Sequence, residues 1–122
     1  MTNWTTLPYE DLRAYQGARQ LLLLVHEAQI ADSKLRDQAL RAAKSVCLNI
    51  AEAVGRYSEA DQKRVFAIAR GEACEVNAAL DIAALIGECP ADKAQSGAAL
   101  ARGVYALLSG LIRKRANGVS SQ

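Results

Sequence analysis

Large rings, prolines and imidazoles are all scarce in this chain of 122 residues. Aromatic residues make up only 5% while apolar residues make up 51%, so a core must be filled largely by aliphatic side chains and by the abundant alanine. Small side chains of that kind favour helices whose backbones approach closely. The two prolines, Pro8 and Pro90, both stand where helices would begin. A single histidine, His26, supplies at most one imidazole ligand, and no CxxC pair or Cys/His cluster accompanies it, so neither zinc nor any other metal is expected. A di-metal carboxylate centre is excluded too, because it needs Glu-x-x-His on two helices. Cys47, Cys74 and Cys89 are odd in number, widely spaced and embedded among alanines and leucines, the pattern of reduced thiols acting as small apolar residues; a cytoplasmic compartment is predicted. The residues after Met1 form no basic leader pattern, and the apolar run Leu21 to Val25 falls far short of the ~20 residues that a membrane span needs. A soluble protein with no membrane, cofactor or metal partner is the expectation.

What is present is helical periodicity. One domain fits this length. From Tyr9 to Ala31 no breaker intervenes, and Leu12, Tyr15, Ala18, Leu22, Val25 and Ala28 or Gln29 recur at three-four spacing, which predicts a first helix with that stripe inward. Leu21, Leu23 and Leu24 fall off the stripe. Four consecutive leucines encircle a helix turn, so these three are assigned to a contact with a partner. Asp32 or Ser33 is the predicted cap of a second helix, about Lys34 to Val54, with Leu35, Ala39, Ala42, Val46, Ile50 and Ala53 inward and Gly55 ending it in a left-handed conformation. Ser58, with Asp61 three residues on, caps a third helix carrying Phe66, Ala69, Ala73, Val76 and Leu80 as far as Gly87. After Pro90, a fourth helix carries Leu100, Val104, Leu107, Leu108 and Leu111, and Asn117-Gly118 closes it. Connections this short force successive helices antiparallel. The expectation is an all-α protein, a single up-down-up-down antiparallel four-helix bundle over residues 9–116, with a flexible start at 1–8 and a flexible tail at 117–122.

Net charge is only +2, but its distribution is uneven. Between Lys34 and Arg70 eight basic residues face four acidic ones, and Arg113-Lys114-Arg115 adds a basic end; from Gly71 to Ile112 five acidic residues face two basic ones. Lys34, Arg36, Arg41, Lys44, Arg56, Lys63 and Arg64 are therefore the candidate phosphate-binding surface. In the second helix Ser45, Asn49 and Glu52 share one face. Pairing with Glu75 across an antiparallel neighbour would make a polar network that sets helix register.

Tyr9-Glu10-Asp11-Leu12, Leu40-Arg41-Ala42-Ala43-Lys44-Ser45-Val46, Asn49-Ile50-Ala51-Glu52, Gly55-Arg56-Tyr57-Ser58 and Phe66-Ala67-Ile68-Ala69-Arg70-Gly71 with Glu75 form an ordered series of motifs. On that series the chain resembles, over roughly Tyr9 to Arg113, the four-helix bundle family encoded within intervening sequences of bacterial large-subunit ribosomal RNA genes, also called S23 ribosomal proteins. Two positions depart from the family pattern: Ala53 replaces a usual glycine and Glu72 a usual serine. The resemblance implies a ring-like homo-oligomer, commonly a pentamer. It also implies kinship with the accessory protein of diversity-generating retroelements, which binds nucleic acid and a reverse transcriptase.

Three functions are consistent with these residues. The first is a non-enzymatic homo-oligomer that binds RNA or DNA, or serves as a scaffold for a nucleic-acid enzyme, its ring repeating the basic surface. The second is a protein-interaction module without nucleic acid, centred on the leucine run. The third is a helical-bundle ribonuclease built on Arg19 and His26, seven apart on one face, with His26 as general acid or base; no nucleophile or second acid accompanies the pair, and no catalytic residue is assigned.

Overall fold

Pro8 fixes the first turn of the chain, a 3-10 segment over Pro8–Asp11, in a computed structural model that describes residues 5–116, without the side chain of residue 116. The expected first helix is thereby shortened at its start. Leu12 adopts φ −71° and ψ 130°, which breaks the helical path and folds Tyr9 back edge-on to Tyr15 with ring centroids 4.8 Å apart. Helix α1 then runs Arg13–Ala28, α2 Ser33–Gly55, α3 Glu59–Leu85 and α4 Ala91–Ala116. No strand occurs among the described residues. Helix α1 packs on α2 and α4, and α3 on the same two, so the four make an antiparallel up-down-up-down square. Residues 1–4 and 117–122 lie outside the described residues, and with them most of the expected flexible ends and the Asn117-Gly118 stop.

Local chemistry accounts for the boundaries. Asp32 Oδ2 accepts the Leu35 amide at 2.8 Å, and Ser58 Oγ accepts that of Asp61 at 3.1 Å, so both expected caps form. Helix α1 stops earlier than its periodicity suggests because Gln29 takes a left-handed conformation, φ 47°. That conformation costs a non-glycine residue about 1–2 kcal/mol. It also turns the fully buried Ile30 into the end of the core, a gain of about 1.5–3 kcal/mol. The turn is then tied down: Ala31 N–H donates to Glu88 O at 3.1 Å, and the Arg36 guanidinium to Ile30 O at 3.0 Å. Gly55 does not become left-handed. It closes α2 as a helical residue: the Arg56 amide donates to Ala53 O at 3.1 Å, and Gln62 Nε2 donates to Val54 O at 3.4 Å and Arg56 O at 3.0 Å, supplying partners for carbonyls at the helix end. Gly87 does take that role, with φ 76°. Its amide and that of Glu88 bond Ala84 O and Ala83 O, a Schellman closure of α3.

The core is aliphatic and small. Leu21, Val25, Ile30, Val46, Ile50, Phe66, Val76, Leu80, Val104 and Leu108 supply its volume, interleaved with buried alanines on all four helices. The inward stripe of α1 is Ala14, Ala18, Leu21, Val25 and Ala28, rotated from the expected one, which leaves Leu22 half-buried and takes Leu21 inside. Helix α4 lies so close to its neighbours that a Cβ at Gly97 would overlap Leu80 Cδ1 and stand 3.1 Å from Leu24 Cδ2.

Candidate nucleic-acid interface

The seven expected basic residues do not form one patch. Helix α2 has 23 residues and is about 35 Å long, so Lys34 and Arg36 stand at one end of the bundle and Arg56 at the other. Arg36 is already engaged by Ile30 O. Arg41 and Lys44 are exposed midway along α2. Arg56, Lys63 and Arg64 do meet, at the α2–α3 turn, but with acids among them. Arg56 pairs with Glu52 and lies 3.4 Å from Asp61, whose other oxygen accepts from Arg64 Nη2 at 2.8 Å and Nε at 3.0 Å. The Arg64 hydrogen bond, with the charges of Arg56 and Arg64, holds the Asp61 carboxyl below its ordinary value; Glu52 in turn raises the Arg56 guanidinium. Two of the seven cations are thus partly neutralised.

The stronger positive feature lies next to them, between α3 and α4. A groove of about 500 Å³ is lined by Lys63, Arg64, Arg70 and Arg115 with Ala67 and Ile112, and Glu59 at its edge. Arg70 and Arg115 are each held by an aromatic ring and by hydrogen-bonding partners. Arg115 lies 4.8 Å over the Phe66 ring and donates through Nε to Gln62 Oε1 at 2.9 Å and through Nη1 to Leu111 O at 3.2 Å. Partial burial there lowers its guanidinium pKa. Arg70 lies 5.2 Å over the Tyr105 ring and donates to Ser109 Oγ at 3.0 Å. Arg113 and Lys114 are exposed on the adjoining end of α4, and Tyr57, in the α2–α3 turn, is wholly exposed at 103%. Arg70 and Arg115 were absent from the expected surface. Antiparallel register was the signal that would have found them, because it sets Arg115 against Gln62 and Arg70 against Ser109 across the α3–α4 seam.

Ser45 and Asn49 meet as their spacing suggests: Asn49 Nδ2 donates to Ser45 O at 2.9 Å and Oγ at 2.8 Å. Glu72 on α3 stands beside Ser45 across the seam, and Glu75 accepts from Gln38 at 3.4 Å. Burial at this seam pushes the Glu72 carboxyl up, and Glu75 adds to the shift against the pull of Ser45 and Arg41. Glu52 does not join this chain. It lies on the exposed face of α2, one turn before Arg56, and pairs there. The cluster is a half-exposed seam, and no polar or charged side chain among the described residues is in the buried class.

The leucine run also divides. Leu21 is 0% exposed and belongs to the core, because the Ala14–Ala18–Leu21–Val25 stripe sets the rotation of α1; Leu24 is half-buried and Leu23 is 56% exposed. Leu22, Leu23 and Leu40 floor a second groove of about 500 Å³ between α1 and α2, bordered by Arg19, His26 and Lys44. Arg19 and His26, the pair considered for catalysis, therefore share a groove whose other lining is leucine and Lys44. Cys47 is buried behind this face; desolvation raises its thiol pKa, while Arg19 pulls it down. No group of histidine, cysteine and acidic residues able to hold a metal occurs among the described residues. None of their helices is long and apolar enough to cross a membrane.

These features define a class: an alanine-rich antiparallel four-helix bundle bearing two open grooves edged with basic residues. Its family follows from comparison. The model of the 23S rRNA-intervening sequence protein family matches residues 10–110, and the chain belongs to that family. No curated protein matches it. Of the two departures from the family pattern, Ala53 is fully buried in α2 and Glu72 sits at the α2–α3 seam beside Ser45.

Proposed function

We propose that the protein is a non-enzymatic homo-oligomer that binds RNA or DNA through the α3–α4 groove. The carrying observation is that groove itself, where Lys63, Arg70 and Arg115 converge beside the fully exposed Tyr57 turn. Arg70 and Arg115 are braced against aromatic rings, so little side-chain freedom remains to be lost when they meet a phosphate. Tyr57 offers a face on which a base stacks, a contribution of about 1–3 kcal/mol. One groove supplies few phosphate contacts and binds weakly; several copies in one assembly release counterions together and bind with a steep salt dependence. The reducing cytoplasm suits the three unbridged thiols. Titration of the assembled protein against labelled RNA and DNA over a range of ionic strength tests the proposal. Affinity that falls steeply with salt is expected, and absent or salt-insensitive binding refutes it.

Leu48 at 70% and Leu85 at 82% exposure favour a second reading, a protein-interaction module without nucleic acid. Pull-down with and without nuclease separates the two, because partners tethered by nucleic acid disappear with it. For the ribonuclease alternative, the groove holding His26 is lined with no carboxylate or hydroxyl to share a proton. Any hydrolysis that survives His26→Ala would originate elsewhere.

A further inference from the structure

Helix α3 has a second apolar face. Ala78, Ile82 and Leu85, at four-three spacing, form an outward ridge on which Ile82 is 47% and Leu85 82% exposed. Asp81 and Glu75, both exposed, stand by this ridge. Across the bundle, the α1–α2 groove is its counterpart in shape and charge: a leucine floor of Leu22, Leu23 and Leu40 with Arg19, His26 and Lys44 along its borders. The spacings agree as well. Glu75 and Asp81 are six residues apart, a rise of about 9 Å, and Arg19 and His26 are seven apart, a rise of about 10 Å. All three ion pairs among the described residues lie at the α2–α3 turn, so neither the acids Glu75 and Asp81 nor the cations Arg19 and Lys44 are neutralised by a salt bridge. Because α3 packs on α2 and α4 and stands diagonally from α1, ridge and groove cannot meet within one molecule.

We infer that the α3 ridge of one copy seats in the α1–α2 groove of the next. The inference rests on the oligomeric reading above and names its contact. Charge complementarity decides the occupant: a groove edged by unpaired cations calls for an apolar helix face with carboxylates, and the chain itself carries one. The two surfaces differ, so the contact is heterologous, and each added copy presents a fresh groove and a fresh ridge. Such a contact either closes into a ring or extends as a filament. In both cases the α3–α4 groove repeats once per copy, which is the arrangement avid binding requires.

Charge exchange tests the pairing. Arg19→Glu with Lys44→Glu reverses the groove, and Glu75→Lys with Asp81→Lys reverses the ridge; all four residues are exposed, so far-UV circular dichroism should be unchanged. Sedimentation velocity should show each double variant dissociating at concentrations at least tenfold above those at which the wild type dissociates. Joining all four changes in one chain should restore assembly. A wild-type oligomer indifferent to both reversals would overturn this contact and leave the oligomeric reading standing. So would reversals that break assembly without rescue in the fourfold variant. A monomeric wild type would overturn contact and oligomer together.

Discussion

Two glycines on α4 make a matched pair for testing how closely the helices pack. At Gly97 a methyl group would overlap Leu80 Cδ1 and lie 3.1 Å from Leu24 Cδ2, whereas at Gly103 nothing lies within 4 Å. Either change to alanine lowers backbone entropy in the unfolded chain and improves helix propensity, worth about 0.8–1 kcal/mol. At Gly103 nothing opposes that gain, so Gly103→Ala should stabilise by nearly the full amount. At Gly97 the methyl meets Leu80, which is 0% exposed and packed in the core. Forcing an extra carbon into a packed core costs about 1–3 kcal/mol, and the net for Gly97→Ala should be a loss of about 0.5–2 kcal/mol. For a domain of this size that separates the two variants by roughly 5–10 °C in Tm. Urea unfolding at one fixed protein concentration measures both, since association would otherwise contribute. Equal stability of the two variants would refute the close approach of α4 to α1 and α3.

Three further outcomes follow from the structure. Gln29→Gly relieves the left-handed strain at φ 47° and should stabilise by about 0.5–1 kcal/mol in the same unfolding assay, provided the turn that buries Ile30 is kept. Glu72 has a raised carboxyl in the folded state, so the folded chain holds that proton more tightly and the group disfavours folding once pH rises above its unfolded value. Glu72→Gln should therefore stabilise at neutral pH, and the advantage should shrink as pH falls through the carboxylate range; Asp61, whose carboxyl is held low, loses its contribution over that acidic descent in both proteins. Lys63→Ala should weaken RNA and DNA alike and lower the slope of log affinity against log salt by about one per copy that contacts phosphate, measured by anisotropy titration.

Much of the fold was legible because periodicity and caps agree. Asp32, Ser58 and Gly87 act as their residue types suggest, and the stripes of α2 and α3 from Ala39 to Ala53 and from Phe66 to Leu80 point inward as spaced. The errors have local causes. In α1, two apolar stripes compete, one through Leu22 and one through Leu21, and only packing against the close-lying α4 chooses between them. Gly55 looked like a stop because glycine permits a left-handed end; instead the next amide, that of Arg56, closes α2 on Ala53 O with Gly55 still helical. The grooves were harder to read. Arg70 and Arg115 are ordinary surface cations in sequence, and only the antiparallel packing of α3 and α4 brings both to one groove.

The two ends of the bundle are fastened unequally. At the end holding Ile30 and Cys89, two connections are stitched to each other by the Ala31 amide and the Glu88 carbonyl, and a Schellman closure seals α3. At the other end a single turn joins α2 to α3, while α1 begins and α4 finishes beside it. The molecule is thus tied by its backbone at one tip and by side chains at the other, where Arg115 reaches from α4 to Gln62 on α3. The Arg115 and Lys63 groove opens at that second tip, so a ligand that engages Arg115 acts on the same residue that ties α4 to α3 there.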